Sequence, residues 1–167
     1  IKAPHIFNGE LIRLNKVHST DEQLQLYLSL SNYATLLYSN AFVKRIVNQW
    51  GNQYLSNALG ISAVVVSSDQ KIVLMKRSAN VGEFPNCWDV FGGHIDKPEI
   101  GSKPDVYMSM QKELTEELAL GEADYELEIW AIIKANVNQK PELTFSAFIE
   151  KNFEQIVKDA ERADDRF

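Results

Sequence analysis

The order of apolar and polar residues changes at Gly60, which divides the chain into two regions. Residues 63–66 form an unbroken apolar run, as in a strand buried on both faces. Residues 68–70 follow as a polar turn, so residues 61–78 are predicted to form two strands. Because 45 % of the residues are apolar, a buried core can form around these strands.

More strands and two helices are predicted downstream. A short strand that ends in glycines is predicted at 87–93, followed by a helix at 106–119. Two longer strands are predicted at 125–137 and 143–150, and a closing helix at 153–164. Ser102 and Asp105 have the spacing of a capping box, and Pro104 suits a first helical turn. Strands flanked by helices predict an α/β or α+β sandwich with a mixed sheet.

The first third of the chain is predicted to be an accessory region of one or two strands and two helices. Asn8-Gly9 between apolar residues predicts a small hairpin. Residues 19–40 are predicted to form a helix, with 19–21 as capping candidates and Leu24, Tyr27 and Leu28 on one face. A second helix is predicted over 41–59, broken near Gly51.

The bulk composition limits the classes of function. The net charge of −6 argues against a broad nucleic-acid surface, which would need many Lys and Arg residues. Cys87 is the only cysteine, which excludes an intramolecular disulfide and favours a cytoplasmic location. No apolar run approaches the ~18 residues of a membrane span, so we expect no membrane partner. The chain begins with Ile1 rather than Met, and we expect it to be incomplete at its start.

The helix at 106–119 carries its glutamates in an unusual place. With a step of ~100° per residue, Glu113 lies at the edge of the apolar stripe and Glu117 lies inside it. Glu116 lies further round the helix. Like charges four residues apart, near the negative end of the helix dipole, cost ~0.3–1 kcal/mol each. A divalent cation held by the three carboxylates would offset these costs.

Two interpretations of this cluster are open at this point. A solvated acidic helix face is the commoner explanation for a Glu-rich helix. The position of Glu117 and the Gly92-Gly93 pair upstream favour a cation site, since glycines at a strand end let the backbone approach an ion. Mg²⁺ prefers a few carboxylates together with water and the phosphate oxygens of a substrate.

The same residues resemble the Nudix box, G-x5-E-x7-R-E-U-x-E-E-x-G-U, where U is a bulky aliphatic residue. Gly93 and Glu99 match its first half, and the second half matches Glu113, Leu114, Glu116, Glu117 and Leu120. Lys112 replaces the Arg of the pattern and Ala119 replaces its second Gly. Twelve residues rather than seven separate Glu99 from Lys112, and the excess falls in the Pro/Gly loop.

This resemblance implies a Nudix-type α/β/α sandwich over 59–167, incomplete at its C-terminal end, preceded by the accessory region 1–58. It implies an enzyme that uses Mg²⁺, or Mn²⁺ as a substitute, to hydrolyse a nucleoside diphosphate linked to another group. Glu113, Glu116 and Glu117 would be catalytic and would hold the metal together with Gly93. The sequence does not single out which glutamate would act as the base. Arg77, His94, Asn136 and Glu142 are the predicted substrate-binding residues.

The insertion after "GGH" makes the chain most similar to the UDP-glucose diphosphatase branch of the family. The expected substrate is therefore a UDP-sugar, cleaved to UMP and a sugar 1-phosphate, with no nucleic-acid partner. Three alternatives remain open. They are a Nudix enzyme for another substrate such as ADP-ribose, a catalytically silent Nudix-fold binding module, and an acidic interaction domain with a chance motif.

Overall fold

The structure is a computed structural model that describes residues 8–81, 83–95, 97–98 and 102–163. The chain forms two compact units. The first unit contains the described residues of Ile1–Leu59, Asp96–Pro104 and Lys134–Pro141, and the second contains those of Gly60–Ile95, Asp105–Ile133 and Glu142–Phe167. The predicted division into 1–58 and 59–167 as domains remains a prediction.

The first unit begins with an antiparallel hairpin of β1 (Glu10–Ser19) and β2 (Leu24–Asn32). Its turn is closed by Thr20, whose hydroxyl accepts the Gln23 N–H at 3.1 Å. The hairpin predicted at Asn8-Gly9 would begin in residues that lie outside the described part of the chain. The helix predicted over 19–40 was wrong in part, because Leu24–Asn32 is a strand. The leucines of β2 recur at every second position, which is the period of a strand.

A single helix follows, α1 (Tyr33–Trp50), where two were predicted. Its first turn is capped by Asn32, whose side-chain oxygen accepts the Thr35 N–H at 2.9 Å. The helix is kinked at Phe42, which has the non-helical angles φ −124° and ψ 23°. It ends at Gly51, whose φ of +95° an L side chain rarely adopts, so the predicted break at this residue is confirmed.

The second unit is built on a mixed five-stranded sheet. Its strands are β3 (Gly60–Val66), β4 (Ile72–Val73), β7 (Phe91–His94), β8 (Tyr125–Lys134) and β9 (Pro141–Ile149). The central strand β3 pairs in parallel with β9 and antiparallel with β4 and β7, and β8 pairs with β9. The short strands β5 (Met75–Lys76) and β6 (Trp88–Asp89) pair separately. The predicted mixed α+β fold class is confirmed.

Helices α2 (Val106–Leu118) and α3 (Phe153–Ala160) complete this unit. The helix α2 packs on β3 and β7, and the ring of Tyr107 meets that of Phe145 edge-on at 5.4 Å. Met110 and Leu114 on α2 are fully buried in this core. None of the helices in the described ranges is long and apolar enough to cross a membrane.

The cap of α2 differs from the predicted capping box. Asp105 is itself the N-cap, and its carboxylate accepts the N–H groups of Tyr107 and Met108 at 2.9 and 3.0 Å. Ser102 is therefore not the capping residue. The helix ends at Ala119, which adopts a left-handed conformation with φ 53°.

Candidate functional site

The glutamate helix α2 faces the glycine strand β7 at close range. Glu117 has an exposed fraction of only 8 %. Its Oε2 accepts a hydrogen bond from the backbone N–H of Gly92 at 3.0 Å. The helical periodicity placed Glu117 inside the apolar stripe, and its burial confirms this position. A buried carboxylate costs free energy unless it is bonded, and the Gly92 N–H supplies one such bond.

Glu113 lies against the neighbouring glycine, Gly93. A Cβ atom added to Gly93 would overlap Oε1 of Glu113 and lie 2.7 Å from its carboxyl carbon. The missing side chain of Gly93 is thus the space that the Glu113 carboxylate fills. Gly92 is required for a different reason. Its φ is +151°, and an added Cβ would lie 2.7 Å from Cα of Ser62 on the adjacent strand.

Glu116 stands apart from the other two glutamates. Its side chain is 38 % exposed, and its Oε1 lies 4.0 Å from Nζ of Lys112 one turn earlier. An exposed pair at this distance contributes little to stability. Lys112 therefore approaches a box glutamate from the position of the family's Arg.

The donor set suits a hard divalent cation in its chemistry. The carboxylates of Glu113 and Glu117 both lie against the backbone of the Gly92-Gly93 pair, and carboxylate oxygens are ligands that Mg²⁺ prefers. Within the described residues, no group of three or more His, Cys, Asp or Glu side chains is arranged so that it could hold a metal ion. A third carboxylate would have to come from Glu116, whose side chain is 38 % exposed.

Arg77, a predicted substrate contact, has structural partners. Its guanidinium forms an ion pair with Asp89 at 3.0 Å and donates to the carbonyl of Glu83 at 3.1 Å. Its backbone N–H also bonds to the carbonyl of Cys87 at 2.9 Å. Arg77 therefore ties β5 to the segment that leads into β6. Its role toward a substrate remains a prediction.

The other predicted substrate residues fall in both units. His94 pairs with Gly60 on β3, and Gly60 pairs with Glu142 on β9, so the three form one row across the sheet. The side chains of His94 and Glu142 therefore lie on the same face, on either side of a glycine. Asn136 belongs to the first unit, where its carbonyl accepts a hydrogen bond from Gln139 at 3.2 Å. Glu99 lies outside the described residues.

The sequence reading missed a cavity of about 690 Å³ beside Glu117. Its walls are mainly apolar and come from residues 73–76 and from α3. Ile156 and Val157 of α3 line this cavity, and so do Glu117 and Leu118 of α2. The apolar face of α3 was visible in the sequence, but the strand that it faces could not be inferred from local patterns.

A second missed feature is Asp69, which ties the β3–β4 turn to α3. Its carboxylate accepts hydrogen bonds from the Ser67 hydroxyl at 2.6 Å and the Phe153 N–H at 2.9 Å, and pairs with Lys71 at 2.8 Å. The bond to Lys71, followed by those to Ser67 and Phe153, holds the pKa of Asp69 well below its usual range. The polar turn 68–70 was predicted, but its contact with a helix more than 80 residues later has no local signal.

The chain was compared with protein families, with known sequences and with solved structures. No protein-family model matches the chain. In sequence it is 33 % identical to the uridine diphosphate glucose pyrophosphatase NUDT22 of Mus musculus over 103 residues, which is 54 % of this chain and 33 % of that protein. It is 31 % identical to Nudix hydrolase 9 of Arabidopsis thaliana over 111 residues, which is 58 % of this chain and 36 % of that protein.

The chain is therefore similar in sequence to proteins named as Nudix hydrolases, in line with the resemblance of the glutamate helix. Its similarity to a uridine diphosphate glucose pyrophosphatase confirms the resemblance to that branch. The chain spans about a third of the length of these two relatives. Among solved structures, a mutT/nudix family protein from Listeria innocua aligns with a TM-score of 0.46 and 19 % identity, over 64 % of this chain and 72 % of that one.

Proposed function

We propose that the chain carries the catalytic part of a divalent-metal-dependent hydrolase that cleaves a nucleoside diphosphate linked to a second group. The proposed substrate is a UDP-sugar, UDP-glucose or UDP-galactose, and the products are UMP and the sugar 1-phosphate. The observation that carries the proposal is the seating of two α2 carboxylates on the backbone of Gly92 and Gly93. The sequence similarity to a pyrophosphatase named for UDP-glucose supports the choice of substrate.

Glu113, Glu116 and Glu117 would hold the metal together with the carbonyl of Gly93. When bound, Mg²⁺ would supply positive charge to the diphosphate and a more acidic water. The chain's own residues prepare this site. The Gly92 N–H orients the Glu117 carboxylate, and the lack of a Cβ at Gly93 leaves room for the Glu113 carboxylate beside the backbone.

The hydrolysis itself consumes one water per substrate. A water oxygen attacks one phosphorus of the diphosphate, the bridging P–O bond breaks, and the two phosphates leave on separate products. A box glutamate is proposed to accept the proton of that water, since a carboxylate within reach is the simplest base in this site. The exposed Glu116 would be drawn from Lys112 toward the cation by charge attraction.

The substrate contacts are also part of the proposal. His94 and Glu142, which share one sheet face beside Gly60, would contact the nucleotide or the sugar. Arg77 would contribute positive charge toward the diphosphate, and Asn136 would contribute a polar contact. We place the enzyme in the cytoplasm, without a nucleic-acid or membrane partner, on the basis of the single cysteine and the negative net charge.

The test is the release of UMP from UDP-glucose by the 167-residue chain in the presence of Mg²⁺. We expect UMP and glucose 1-phosphate in equal amounts, and loss of both when a chelator removes the metal. Glu116→Gln should lower the rate by at least about 100-fold. The matched control is Glu122→Gln, an exposed glutamate on the turn after α2, which should leave the rate unchanged.

Two other outcomes would redirect the proposal. Turnover of another linked nucleotide such as ADP-ribose, without turnover of UDP-glucose, would keep the reaction class and reject the UDP-sugar assignment. Binding of a nucleotide with no turnover and no measurable Mg²⁺ affinity by calorimetry would favour a silent binding module. Lys112 and Ala119, which depart from the family pattern, are the residues that keep this second candidate open.

A further inference from the structure

The cavity beside Glu117 has one basic side chain among its described lining residues, that of Lys76. Lys76 lies on β5, where it pairs with Trp88 of β6. Its side chain is exposed, and within the described ranges it makes no hydrogen bond or ion pair. An ammonium group that no carboxylate neutralises is available to an anionic ligand. The cavity therefore carries a cation that the fold itself does not use.

The adjacent cation, Arg77, is engaged with the protein. Its Nη1 forms the ion pair with Asp89 at 3.0 Å, and its Nε donates to the carbonyl of Glu83 at 3.1 Å. Successive residues of a strand point to opposite faces, and the Arg77 N–H continues the β5–β6 pairing by its bond to the Cys87 carbonyl. Lys76 and Arg77 therefore project to different sides of this strand, and Lys76 is the one that shares a cavity with Glu117.

The other walls of the cavity are mainly apolar. Val73 and Met75 on the strand side are buried, and Ile156 and Ala160 of α3 lie across from them. Apolar walls limit the access of water, so an attraction between opposite charges is stronger there than in open water. The volume of about 690 Å³ lies within the range of about 300–1,000 Å³ that is usual for small-molecule pockets.

The acidic groups of the cavity favour a ligand that is bound in part through a cation. Glu117 is buried, bonded to the Gly92 N–H and proposed as a metal ligand. Glu161, at the end of α3, is exposed. A diphosphate carries negative charge on several oxygens, so one group can face a metal ion while another faces a lysine. A ligand without negative charge would leave Lys76 unused.

We propose that Lys76 binds the diphosphate of the substrate through its ammonium group. This inference rests on the proposed function and adds a residue to the substrate contacts named there. The diphosphate oxygens are negatively charged both in the bound substrate and during the reaction, so Lys76 stabilises the two states to a similar degree. Removal of such a contact raises KM and changes kcat little. Lys76 does not hold the metal, since its own charge repels a cation.

The kinetics of UDP-glucose hydrolysis test the contact. Lys76→Met should raise KM at least about tenfold and change kcat by less than about threefold. Lys76→Arg keeps the charge and should hold KM within about threefold of the wild-type value. Lys158→Met is the matched control and should change neither constant. Lys158 is an exposed lysine of α3 that is not among the described residues lining the cavity.

Calorimetry gives two measurements that do not depend on turnover. In the presence of Mg²⁺, UDP should bind Lys76→Met at least about tenfold more weakly than it binds the wild type. Mg²⁺ alone should bind Lys76→Met at least as tightly as the wild type, because the loss of the ammonium removes a repulsion. A variant with a damaged cavity would lose affinity for both ligands. Because Lys76 is exposed, we expect Lys76→Met to fold normally by circular dichroism.

The outcomes separate this inference from the proposed function. Wild-type hydrolysis with an unchanged KM in Lys76→Met would overturn the role of Lys76 and leave the proposed function intact. Lys76-dependent binding of UDP without hydrolysis of UDP-glucose would support the diphosphate contact and reject the proposed hydrolysis. A wild-type chain that does not bind UDP, or a Lys76→Met variant with weaker Mg²⁺ binding, would overturn the assignment of Lys76.

Discussion

At the scale of single residues, the adjacent Gly92 and Gly93 are required for different structural reasons. Gly92 is required by the backbone, because an added Cβ would meet the main chain of β3. Gly93 is required by a side chain, because an added Cβ would meet the mobile end of Glu113. The backbone of β3 cannot move aside without disrupting the sheet, whereas the Glu113 side chain can adopt another rotamer.

We therefore expect the two alanine variants to separate stability from metal binding. Gly92→Ala should lower the free energy of unfolding by about 2 kcal/mol through overpacking. Gly93→Ala should lower it by less than about 1 kcal/mol. The same Gly93→Ala change should weaken Mg²⁺ binding by at least about tenfold, because it displaces the Glu113 carboxylate.

Urea denaturation measures the first quantity and calorimetric titration with Mg²⁺ the second. Equal stability losses in the two variants would contradict the distinction between backbone and side-chain contact. Unchanged Mg²⁺ affinity in Gly93→Ala would remove Glu113 from the proposed metal site.

Tyr125 gives a residue-scale prediction of pH dependence. Burial, followed by the charges of Glu122 and Asp124, raises the pKa of Tyr125 from 10.0 to about 12. Between these two values the unfolded chain has released its phenol proton while the folded chain keeps it. The unfolded state thus binds fewer protons, and the free energy of unfolding should fall as the pH rises from about 10 to about 12.

The variant Tyr125→Phe should lose this part of the pH dependence. The Tyr125 hydroxyl is buried and has no hydrogen-bond partner among the described residues, so its removal should not destabilise the chain at neutral pH. Ultraviolet titration of the tyrosines and urea denaturation at each pH provide the measurement. A Tyr125 that titrates near 10.0 in the folded chain would contradict the prediction.

At the scale of secondary-structure elements, the end of α2 carries an avoidable strain. Ala119 closes the helix in a left-handed conformation, and its N–H bonds to the Thr115 carbonyl at 2.9 Å. This conformation costs an L residue roughly 1–2 kcal/mol and costs glycine almost nothing. The family pattern has glycine at this position, so the strain follows directly from the substitution.

Ala119→Gly should therefore raise the free energy of unfolding by about 1 kcal/mol. Gln111→Gly within the same helix is the matched control, and it should lower the free energy of unfolding by about 1 kcal/mol, as glycine does in a helix interior. Urea denaturation of both variants gives the comparison. A fall in stability for Ala119→Gly would show that the helix end is not strained.

The elements also show what local sequence patterns can and cannot determine. The buried run at 63–66 and the capped helix at 106–119 have signals that admit one interpretation, and both are present in the structure. Leu24 and Leu28 fit a helix face as well as a strand face, since a spacing of four satisfies both periods. Leu26 and Leu30 add the two-residue spacing of a strand, and the pairing with β1 shows that this segment is a strand.

At the scale of the whole molecule, the candidate site could be predicted only in part. The identity of the three glutamates and of the glycine pair came from motif and helical period. The contact between Glu117 and Gly92 joins residues 25 positions apart in sequence, so it required the packed fold. The row of His94, Gly60 and Glu142 depends on a parallel pairing between β3 and β9, which local patterns do not specify.

The grouping of segments is another property of the whole molecule. Residues 134–141 join the first unit although the strands on either side continue into the second. Asn136 and Glu142, which are close in sequence, therefore fall in different units. Their predicted role as substrate contacts came from the family resemblance and remains a prediction.

The central claim is that carboxylates of α2 hold a divalent cation that the chain needs for cleavage of a UDP-sugar. The most direct measurement is UMP release from UDP-glucose by the wild-type chain and by Glu117→Gln, each with Mg²⁺ and with a chelator. We predict Mg²⁺-dependent release by the wild type and a rate at least about 100-fold lower for Glu117→Gln. Wild-type release that persists in the chelator, or a Glu117→Gln variant that remains folded and fully active, would contradict the account.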